Sequence, residues 1–489
     1  MAATSEVRAG YRFDPLDRSV LLGLGWVQVG VIAVAAVIWF VAVLARWPII
    51  PVSVVFGLLA ACAVAPVGGQ PVCTWVPVIV GWVARPARAR RWFQPLHLLT
   101  GAEPPGQPAL PPWLAGLSLV EVPQGWGAIR DRAEKSLTAV VPIAGDGFLT
   151  RPPHEQEALL ASWGAVFTAF SGRSGVKVTR VCWSDVAHAV APEGNLAWLN
   201  GRAETGAGVD AYRAWVAGQQ VARHDQLVTF TIVAEQRTKS QADAAAEGLA
   251  AAVESLTDAL AEAKLRTDGP LSVEEIAFLL RSGLDPVSVS AAPRRHGTLS
   301  ERLGTLAVGE AGPMTTKVAA NHVEVDGSYH RVFWVAGWPE RAQQAGWLEP
   351  LLATDDGKTG GAHRALTVII EPVPDEKAFR QVAHADIRLG SDAMAREEGG
   401  RRVGARDKRK HVAVLEREQD LVSGAAGMSY AGLVTLSAPT LEELDRAGRA
   451  YERRCFTRRV TLRQLWGRQD LALAAGLPLG LGLSRTQPK

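Results

Sequence analysis

The sequence predicts an α+β cytoplasmic domain behind an N-terminal transmembrane helical hairpin. Apolar residues are concentrated in the first hundred of 489 residues. After residue 114, short runs rich in β-branched residues alternate with longer runs of helical periodicity. A strand-strand-helix-strand order is typical of an antiparallel sheet with helices on one face. We therefore expect two subdomains, each an antiparallel sheet with packed helices.

The predicted membrane hairpin, with its basic flanks, covers residues 1–94. No charged residue occurs from Ser19 to Ala45, and a helix of that length is about 40 Å long, which exceeds the ~30 Å hydrocarbon core of a bilayer. Trp47 and Pro48 mark a turn, and Ile49 to Pro66 is the predicted second span. The first apolar run is too long for a cleaved signal peptide, and no convincing cleavage site follows it.

A third apolar stretch, residues 70–84, is too short to span a bilayer and contains Pro77. We expect it at the membrane interface or partly embedded. Arginines are frequent before and after the hairpin, whereas its turn contains only Arg46. Both termini are therefore predicted to be cytoplasmic, in a multi-pass protein of the plasma membrane. The predicted interface anchors are Trp26, Trp47, Trp75, Trp82, Arg85, Arg90 and Arg91.

A proline-rich linker at 95–113 should lead into the two subdomains. The first, residues 114–270, is predicted to hold strands at 114–122 and 136–145 joined by a turn-rich loop, a helix at 154–170, strands at 175–184 and 229–234, and a helix at 241–265. The second, residues 271–489, is predicted to hold a hairpin at 323–339, a strand at 365–373, a long charged helical region at 374–421 and a strand at 428–439. Thr440 should cap the next helix, because Thr-Leu-Glu-Glu is a capping box.

No catalytic, cofactor-binding or metal-ligating residue is predicted. The four cysteines form no CxxC pair, and the ten histidines form no HExxH pair. Gly357-Lys358-Thr359 is similar to the end of a phosphate-binding loop, but Leu352 stands where that loop needs a glycine. Glu371 ends a buried-looking strand, where single acidic residues are common. The net charge of +3 gives no global field that would attract nucleic acid or lipid.

One local basic cluster lies between residues 396 and 410. Its charge suits phosphate groups or anionic lipid headgroups, and the same residues would equally form the solvated face of a charged helix. No aromatic residue lies between its members, which disfavours stacking on single-stranded nucleic acid. The cluster consists of Arg396, Arg401, Arg402, Arg406, Lys408, Arg409 and Lys410.

Segments along nearly the whole chain resemble, in order, actinobacterial proteins of integrative and conjugative elements that carry a PrgI-like membrane module. These segments are TWVPVIVGW, RRW, LSLVEV, LLASWGAVFTAF, AYRAW, GPLSVEEIAFLLRSGLDP, FWVAGWPE, WLEPLL, VIIEPVP and LRQLWGRQDLALAAGLPLG. The soluble pattern also resembles the N-terminal, non-ATPase domain of conjugative type IV secretion ATPases of the VirB/TraC type. The sequence stops at Lys489, before the place of the motor domain in those ATPases, and Leu471 to Ala475 lacks the aromatic residue that the pattern leads us to expect.

The resemblance implies a non-catalytic, membrane-anchored structural subunit of a type IV secretion-like apparatus for conjugative DNA transfer. Its implied partners are the lipid bilayer, other secretion or conjugation subunits, an ATPase of the VirB/TraC type and further copies of the chain; nucleic acid as a partner stays open, and no cofactor is implied. The alternative is a membrane subunit of a type VII-like protein secretion system, which shares the plan of a hairpin and a cytosolic domain. Candidate partner-surface residues, which would serve equally as buried structural residues, are Trp347, Leu348, Leu351, Leu352, Trp466 and Leu477.

Overall fold

The computed structural model describes residues 26–67, 70–94, 106–145, 147–169, 178–190, 196, 199–201, 206–218, 221–234, 238–290, 304–339, 346–352, 363–398, 404–422 and 427–483. These residues divide into two units. The sheet unit is the described part of 87–375 and 425–489, and the helical unit is the described part of 14–86 and 376–424. The α+β part of the sequence forms the sheet unit, while the apolar N-terminal helices and the charged helical region belong to the helical unit.

The sheet unit is built on one antiparallel sheet of twelve strands among the described residues. The strands are β3 (Arg91–Phe93), β4 (Leu117–Glu121), β5 (Gly127–Asp131), β6 (Ser136–Ile143), β7 (Val178–Val190), β8 (Val221–Val233), β9 (Thr315–Val318), β10 (Val323–Val325), β11 (Ser328–Gly337), β12 (His363–Pro372), β13 (Met428–Ala438) and β14 (Thr461–Gln464). They follow the order β3-β9-β10-β11-β13-β12-β7-β8-β6-β5-β4, with β14 beside β11. The two predicted subdomains meet within this sheet, because β12 pairs with β7 along 364–370 and 181–187.

The helices of the sheet unit are α4 (Pro153–Ala169), α5 (Ala207–Gly218), α6 (Lys239–Glu262), α7 (Val273–Leu284), α8 (Pro286–Ser290), α9 (Glu349–Leu352), α12 (Leu441–Thr457) and α13 (Gln469–Gly476). The helical unit contains α1 (Trp26–Leu44), α2 (Ile49–Val64), α3 (Trp75–Ala84), α10 (Asp375–Glu398, from its second residue) and α11 (Ala405–Val422). A two-residue strand pair, β1 (Pro66–Val67) and β2 (Gln70–Pro71), lies between α2 and α3.

Helices cover one face of the sheet through two apolar clusters. In the first cluster, Leu249 of α6 packs with Phe230 of β8, and both are fully buried. In the second, Leu444 of α12 packs with Phe333 of β11. Trp183 of β7 contacts both clusters, so they lie on the same face. Burying side chains of this size contributes about 1.5–3 kcal/mol each, which makes this face the principal apolar core of the sheet unit.

The opposite face of the sheet carries buried hydroxyl groups across its centre. These belong to Thr138, Ser184, Thr229, Thr231, Thr367, Thr435 and Ser437, and they alternate along their strands with the apolar residues of the helix-covered face. We call residues 469–481, which lie on this hydroxyl row, the C-terminal segment. The hydroxyl of Thr231 donates to the carbonyl of Gly480 at 3.2 Å, and that of Thr367 donates to the carbonyl of Gly476 at 2.8 Å.

The close approach of the C-terminal segment to the sheet requires glycine. Gly480 has a φ of +68°, and a Cβ added there would lie 2.7 Å from Cγ2 of Thr138 and 2.8 Å from Oγ1 of Thr229. A Cβ at Gly476 would lie 2.7 Å from Oγ1 of Thr435. Glycine alone avoids both the contacts and the left-handed strain, which explains the glycine-rich end of the sequence.

Most elements predicted from the sequence are confirmed, and the differences concern the strands. The strands predicted at 114–122 and 136–145 are β4 and β6, and the helices predicted at 154–170 and 241–265 are α4 and α6. The predicted turn-rich loop between β4 and β6 contains β5, whose sequence GAIRD lacks a clear apolar alternation. Strands β7 and β8 are each 13 residues long because polar residues such as Asp185 and His224 continue the ladder.

The sheet unit begins before the end of the predicted hairpin flank and linker. Strand β3 pairs with β9, although its residues were predicted to flank the hairpin. The linker predicted at 95–113 is described from residue 106 onward. There Gln107 donates from Nε2 to the carbonyl of Leu119 at 2.7 Å and accepts from its N–H at 2.9 Å, so this side chain pairs with the edge strand β4. Trp113 and Leu114 at its end are buried.

The predicted cap and the charged helical region are both visible. Oγ1 of Thr440 accepts from the backbone N–H of Glu443 at 3.2 Å, which confirms Thr440 as the N-cap of α12. The reciprocal hydrogen bond of the predicted capping box, from the backbone N–H of Thr440 to the side chain of Glu443, is not formed. The charged region is described as two helices, α10 and α11, and residues 399–403 between them lie outside the described residues.

Candidate functional site

The apolar N-terminal helices bury small side chains and expose large ones. Helices α1 and α2 contact each other, and the side chains buried among their described residues are those of Ala35, Ala42 and Ala63. Small residues allow close helix contact in membranes, where the lipid is as apolar as leucine. Exposed large side chains are Val34, Val37, Ile38, Phe40, Val41 and Leu44 on α1, and Ile49, Ile50, Val54, Val55, Leu58, Leu59 and Val64 on α2.

Polar side chains of this hairpin are hydrogen-bonded within it. Nε2 of Gln28 on α1 donates to the carbonyl of Ala63 on α2 at 2.7 Å. The indole N–H of Trp39 on α1 donates to Oγ of Ser53 on α2 at 3.1 Å. Helices in a hydrocarbon environment must satisfy polar groups internally in this way, because no water is present to do so. A water-soluble helix pair is arranged in the opposite way, with large apolar side chains buried between the helices and polar side chains facing water.

The predicted interface anchors are found in both units. Trp75 and Trp82 are half-buried on α3, whose exposed face carries Val76, Ile79, Val80 and Val83. Arg85 directly follows α3, and Trp47 is exposed in the turn between α1 and α2. The backbone of Trp26 begins α1, while its side chain lies outside the described part. Arg90 and Arg91 belong to the sheet unit, where Arg91 lies in β3, and their role as interface anchors stays a prediction.

Among the residues that the structure describes, no helix is both long enough and apolar enough to cross a membrane. The predicted first span, Ser19 to Ala45, is described only from Trp26 onward, and its side chains only from Gln28 onward. The transmembrane hairpin therefore stays a prediction.

The basic cluster is described in part. Arg401 and Arg402 lie outside the described residues, and Arg396 and Arg406 are described only as backbone of α10 and α11. Lys408 and Arg409 are exposed and Lys410 is half-buried, all within the first two turns of α11. Positive charge at this end of a helix is unfavourable, because the N-terminus already carries the positive end of the helix dipole.

The candidate partner surface is mostly internal. Trp347, Leu348 and Leu352 are partly buried against the second apolar cluster. Leu351 and Leu477 are buried within the chain, which agrees with the alternative that they are buried structural residues. The hydroxyl of Tyr451 donates to the carbonyl of Leu351 at 2.9 Å, which fixes α9 on α12. Trp466 is 43% exposed and remains a surface residue.

A buried charge cluster, which sequence analysis missed, joins β7, β8 and β12. The carboxylate of Asp185, fully buried, accepts from the guanidinium of Arg364 and from Nδ1 of His224 at 3.1 Å. Arg364 also donates to the carbonyl of Leu352 at 2.7 Å. Burial alone would raise the pKa of Asp185, but the hydrogen bond from His224 and the charge of Arg364 hold it below its usual value. The carboxylate is therefore ionised, and the cluster ties three strands and α9 together.

A second buried arginine lies toward the other end of β7. Arg180 donates to Glu134 at 3.0 Å, to Glu371 at 3.2 Å and to the carbonyl of Gly480 at 3.1 Å. Glu371, the strand-end carboxylate noted in the sequence, is therefore an ion-pair partner beneath the C-terminal segment. Charged residues inside the apolar strand sequences RVCWSD and HRALTV were the available signal for both clusters.

The described residues include no group arranged to bind a metal and no activated thiol. No set of three or more His, Cys, Asp or Glu side chains there is placed to hold a metal ion. Burial raises the pKa of Cys182 to about 11 and that of Cys455 to about 12. Both thiols are therefore protonated and poor nucleophiles at neutral pH. Gly357-Lys358-Thr359 lies outside the described residues.

No protein-family model matches the chain, and no curated protein matches it. The described residues expose two sets of apolar side chains: those on the outward sides of α1, α2 and α3, and those on α10 and α11. They favour the class of proteins that act by contacting lipid and other protein chains.

Proposed function

We propose that the protein is a membrane-anchored, non-catalytic structural subunit that holds its sheet unit at the cytoplasmic face of the plasma membrane. The observation that carries this proposal is the outward position of large apolar side chains on α1 and α2, such as Val37 (62% exposed) and Ile50 (80% exposed). Removing one such side chain from water is worth about 1.5–3 kcal/mol. Soluble monomers rarely expose contiguous apolar surface of this extent, whereas a bilayer would cover it.

The finer proposal is a transmembrane hairpin with both ends cytoplasmic. The uncharged run that contains α1 extends from Ser19 to Ala45, which supports a full span. Basic residues on both flanks support the orientation. Helix α3, with Trp75 and Trp82, would lie at the interface, where tryptophan is favoured.

The ordered sequence resemblance supports a particular setting, a type IV secretion-like apparatus for conjugative DNA transfer. In this setting the subunit docks other subunits or an ATPase of the VirB/TraC type at the cytoplasmic face. The exposed Trp466 of the sheet unit is a candidate contact. A type VII-like protein secretion system remains the alternative, because it would use the same hairpin and cytosolic domain.

Membrane anchoring is tested by fractionation of cells that produce the full chain. We expect the protein to resist alkaline extraction, and Val37→Asp to release a large fraction of it, since a carboxylate at the centre of a membrane helix costs about 2.5–3.5 kcal/mol. Val37→Leu is the matched control and should behave as the parent. A chain of residues 87–489, which keeps β3, should be water-soluble. Release of the unmodified full chain by alkali would overturn the proposal.

The setting is tested by purification from detergent-solubilised membranes through a C-terminal tag, followed by mass spectrometry. We expect an ATPase of the VirB/TraC type and channel subunits with the parent chain. The Val37→Asp chain, recovered from the soluble fraction, should lose the channel subunits. Recovery of a type VII motor would replace the conjugative setting, and ATP hydrolysis by the purified protein would contradict the non-catalytic role.

A further inference from the structure

Helix α11 carries an exposed stripe with the spacing of a coiled-coil seam. The stripe follows Lys408, Val412, Leu415, Gln419 and Val422, at intervals of four, three, four and three residues. Its apolar members are exposed: Leu415 by 46% and Val422 by 73%. The alternation of four and three keeps one side of a helix facing a partner helix.

The stripe lies away from the packed side of the same helix. Val414 and Leu421 are buried, and at 100° per residue they lie about 160–180° around α11 from Val412 and about 100–120° from Leu415. Helix α10, which contacts α11 where Asp386 lies 3.6 Å from His411, has its own exposed apolar residues. These are Phe379, Ile387 and Met394. Each of the two helices therefore has buried residues and, elsewhere on its surface, exposed apolar residues.

Exposed charges flank the stripe in a sign order that runs along the helix. Arg409 and Glu416 lie on one flank, and His411 and Glu418 lie on the other. His411 already lies 3.6 Å from Asp386 of α10 in the same chain. Arg409 and Glu416 place a cation nearer the N-terminus of the helix and a carboxylate nearer its C-terminus. This order opposes the helix dipole at both ends. An antiparallel neighbouring helix would place the opposite end of its dipole, and charges of opposite sign, beside those of α11.

We infer that α11 pairs in antiparallel fashion with α11 of a second copy of this chain. In the register that the spacing sets, Val412 faces Leu415 of the second copy, and Lys408 faces Gln419 of the second copy. Arg409 then faces Glu416 of the second copy, and His411 faces Glu418 of the second copy. Each contact occurs twice, because the interface is symmetric about a two-fold axis.

The charges exclude the competing arrangements. Parallel pairing would set Lys408 against Lys408 of the second copy within the seam, which is repulsive. An anionic lipid surface or a phosphate backbone would meet Glu416 and Glu418 beside the basic residues. The antiparallel dimer brings Arg409 and Glu416 of the two copies together and covers the apolar stripe. It also assigns a role to Lys408 and Arg409 of the basic cluster.

Cysteine pairing tests the register in the full chain. Chains with K408C and chains with Q419C, carrying different tags, are produced together, and their membranes are oxidised. We expect a disulfide dimer only between the two kinds of chain, and none beyond the parent background when either variant is produced alone. A dimer of K408C alone would indicate parallel pairing and overturn the inference. So would the absence of the mixed dimer.

Charge exchange tests the chemistry of the interface. R409E in all chains should lower the yield of the mixed disulfide roughly tenfold, because two contacts become repulsive. The double change R409E with E416R should restore it, because each new glutamate faces a new arginine. Arg453→Glu, the same change at an exposed site of α12 in the sheet unit, should leave it unaltered. Failure of the double change to restore pairing would overturn the inference.

A third result would identify lipid as the occupant instead. The variant L415C should react with a water-soluble thiol reagent when the protein is diluted in detergent to the monomer, and should be protected at concentrations where the dimer forms. If anionic vesicles protect it and protein concentration does not, α11 lies on the membrane surface, and the dimer is ruled out.

Discussion

Two helices of similar length, α1 with 19 residues and α12 with 17, distribute their side chains in opposite ways. Helix α12 buries Leu444, Tyr451 and Cys455 on the sheet and presents charged residues to water. Helix α1 buries alanines and exposes valine, isoleucine and phenylalanine. The two helices therefore differ in where their apolar surface points. That direction indicates the solvent for which each helix is suited.

The difference has a measurable consequence, because an apolar side chain contributes to folding only where folding changes its surroundings. Leucines of the sheet unit move from water into a packed core. The exposed leucines of α2 would remain in lipid or detergent whether or not the sheet unit is folded. Matched substitutions in the two regions should therefore differ in their effect on stability.

The largest difference is expected between Leu256→Ala and Leu58→Ala. Leu256 of α6 is fully buried in the first apolar cluster, and its truncation should lower the free energy of unfolding by about 2–5 kcal/mol. Leu58 of α2 is exposed, and its truncation should change the free energy of unfolding by less than about 0.5 kcal/mol. Denaturant unfolding of the detergent-held protein measures both. A large effect of Leu58→Ala would show that Leu58 packs on protein, and would contradict the claim that the exposed side chains of α2 face lipid or detergent.

A second prediction concerns pH and a buried polar group of the sheet unit. His330 is fully buried, donates from Nε2 to the carbonyl of Leu284 at 2.9 Å and accepts at Nδ1 from Ser437 at 2.8 Å. Burial lowers its pKa from 6.5 to about 4. Between these two values the unfolded chain binds a proton that the folded chain does not, so stability rises with pH and is lost as pH falls.

The expected loss from His330 is about 3 kcal/mol between pH 6.5 and pH 4. It is measured by denaturant unfolding at several pH values. His330→Gln, which can keep both hydrogen bonds, should flatten the profile over this window. The pKa of His322 is also lowered, chiefly by burial, so a part of the slope should persist in the variant. An unchanged profile would mean that His330 is already protonated in the folded protein.

The smallest predicted difference compares two glycines. Gly480→Ala should destabilise the sheet unit by about 1–3 kcal/mol, since the new Cβ meets Thr138 and Thr229 at a left-handed position. At Gly30 of α1 a Cβ meets nothing within 4 Å, so Gly30→Ala should be neutral or stabilising by up to about 1 kcal/mol. Thermal unfolding in detergent measures both. Equal effects would mean that the C-terminal segment is not held on the hydroxyl row.

The sequence was informative where one period of apolar residues dominated. Strong periodicity located β6, α4 and α6, and a local hydrogen-bonding rule located the cap at Thr440. Apolar periodicity did not predict β5, a short strand that begins with a glycine and ends with a charged residue. It also did not predict the full length of β7 and β8. In those strands Asp185 and Arg180 are stabilised by residues far away in the chain, such as Arg364 and Glu371. Long-range compensation of that kind leaves no local signal.

The candidate surfaces were predictable to different degrees. The apolar hairpin was evident from composition, but the hydrogen bonds that Gln28 and Ser53 form between α1 and α2 required coordinates. For Leu351 and Leu477 the sequence left a partner surface and a buried structural role open, because exposed and buried leucines can have the same sequence context. The basic cluster was found by its charge, whereas the seam on α11 emerged only when exposure separated Val412 and Leu415 from the buried Val414.

The central claim, that α1 and α2 form a hairpin through the bilayer, is tested most directly at their turn. Arg46→Cys in the full chain is treated with a membrane-impermeant thiol reagent in intact cells, with the parent chain as background. Arg453→Cys on α12 is the cytoplasmic control. We expect labelling of Arg46→Cys in intact cells, and labelling of Arg453→Cys only after the cells are opened. Labelling of Arg46→Cys only in opened cells would contradict a hairpin that crosses the membrane.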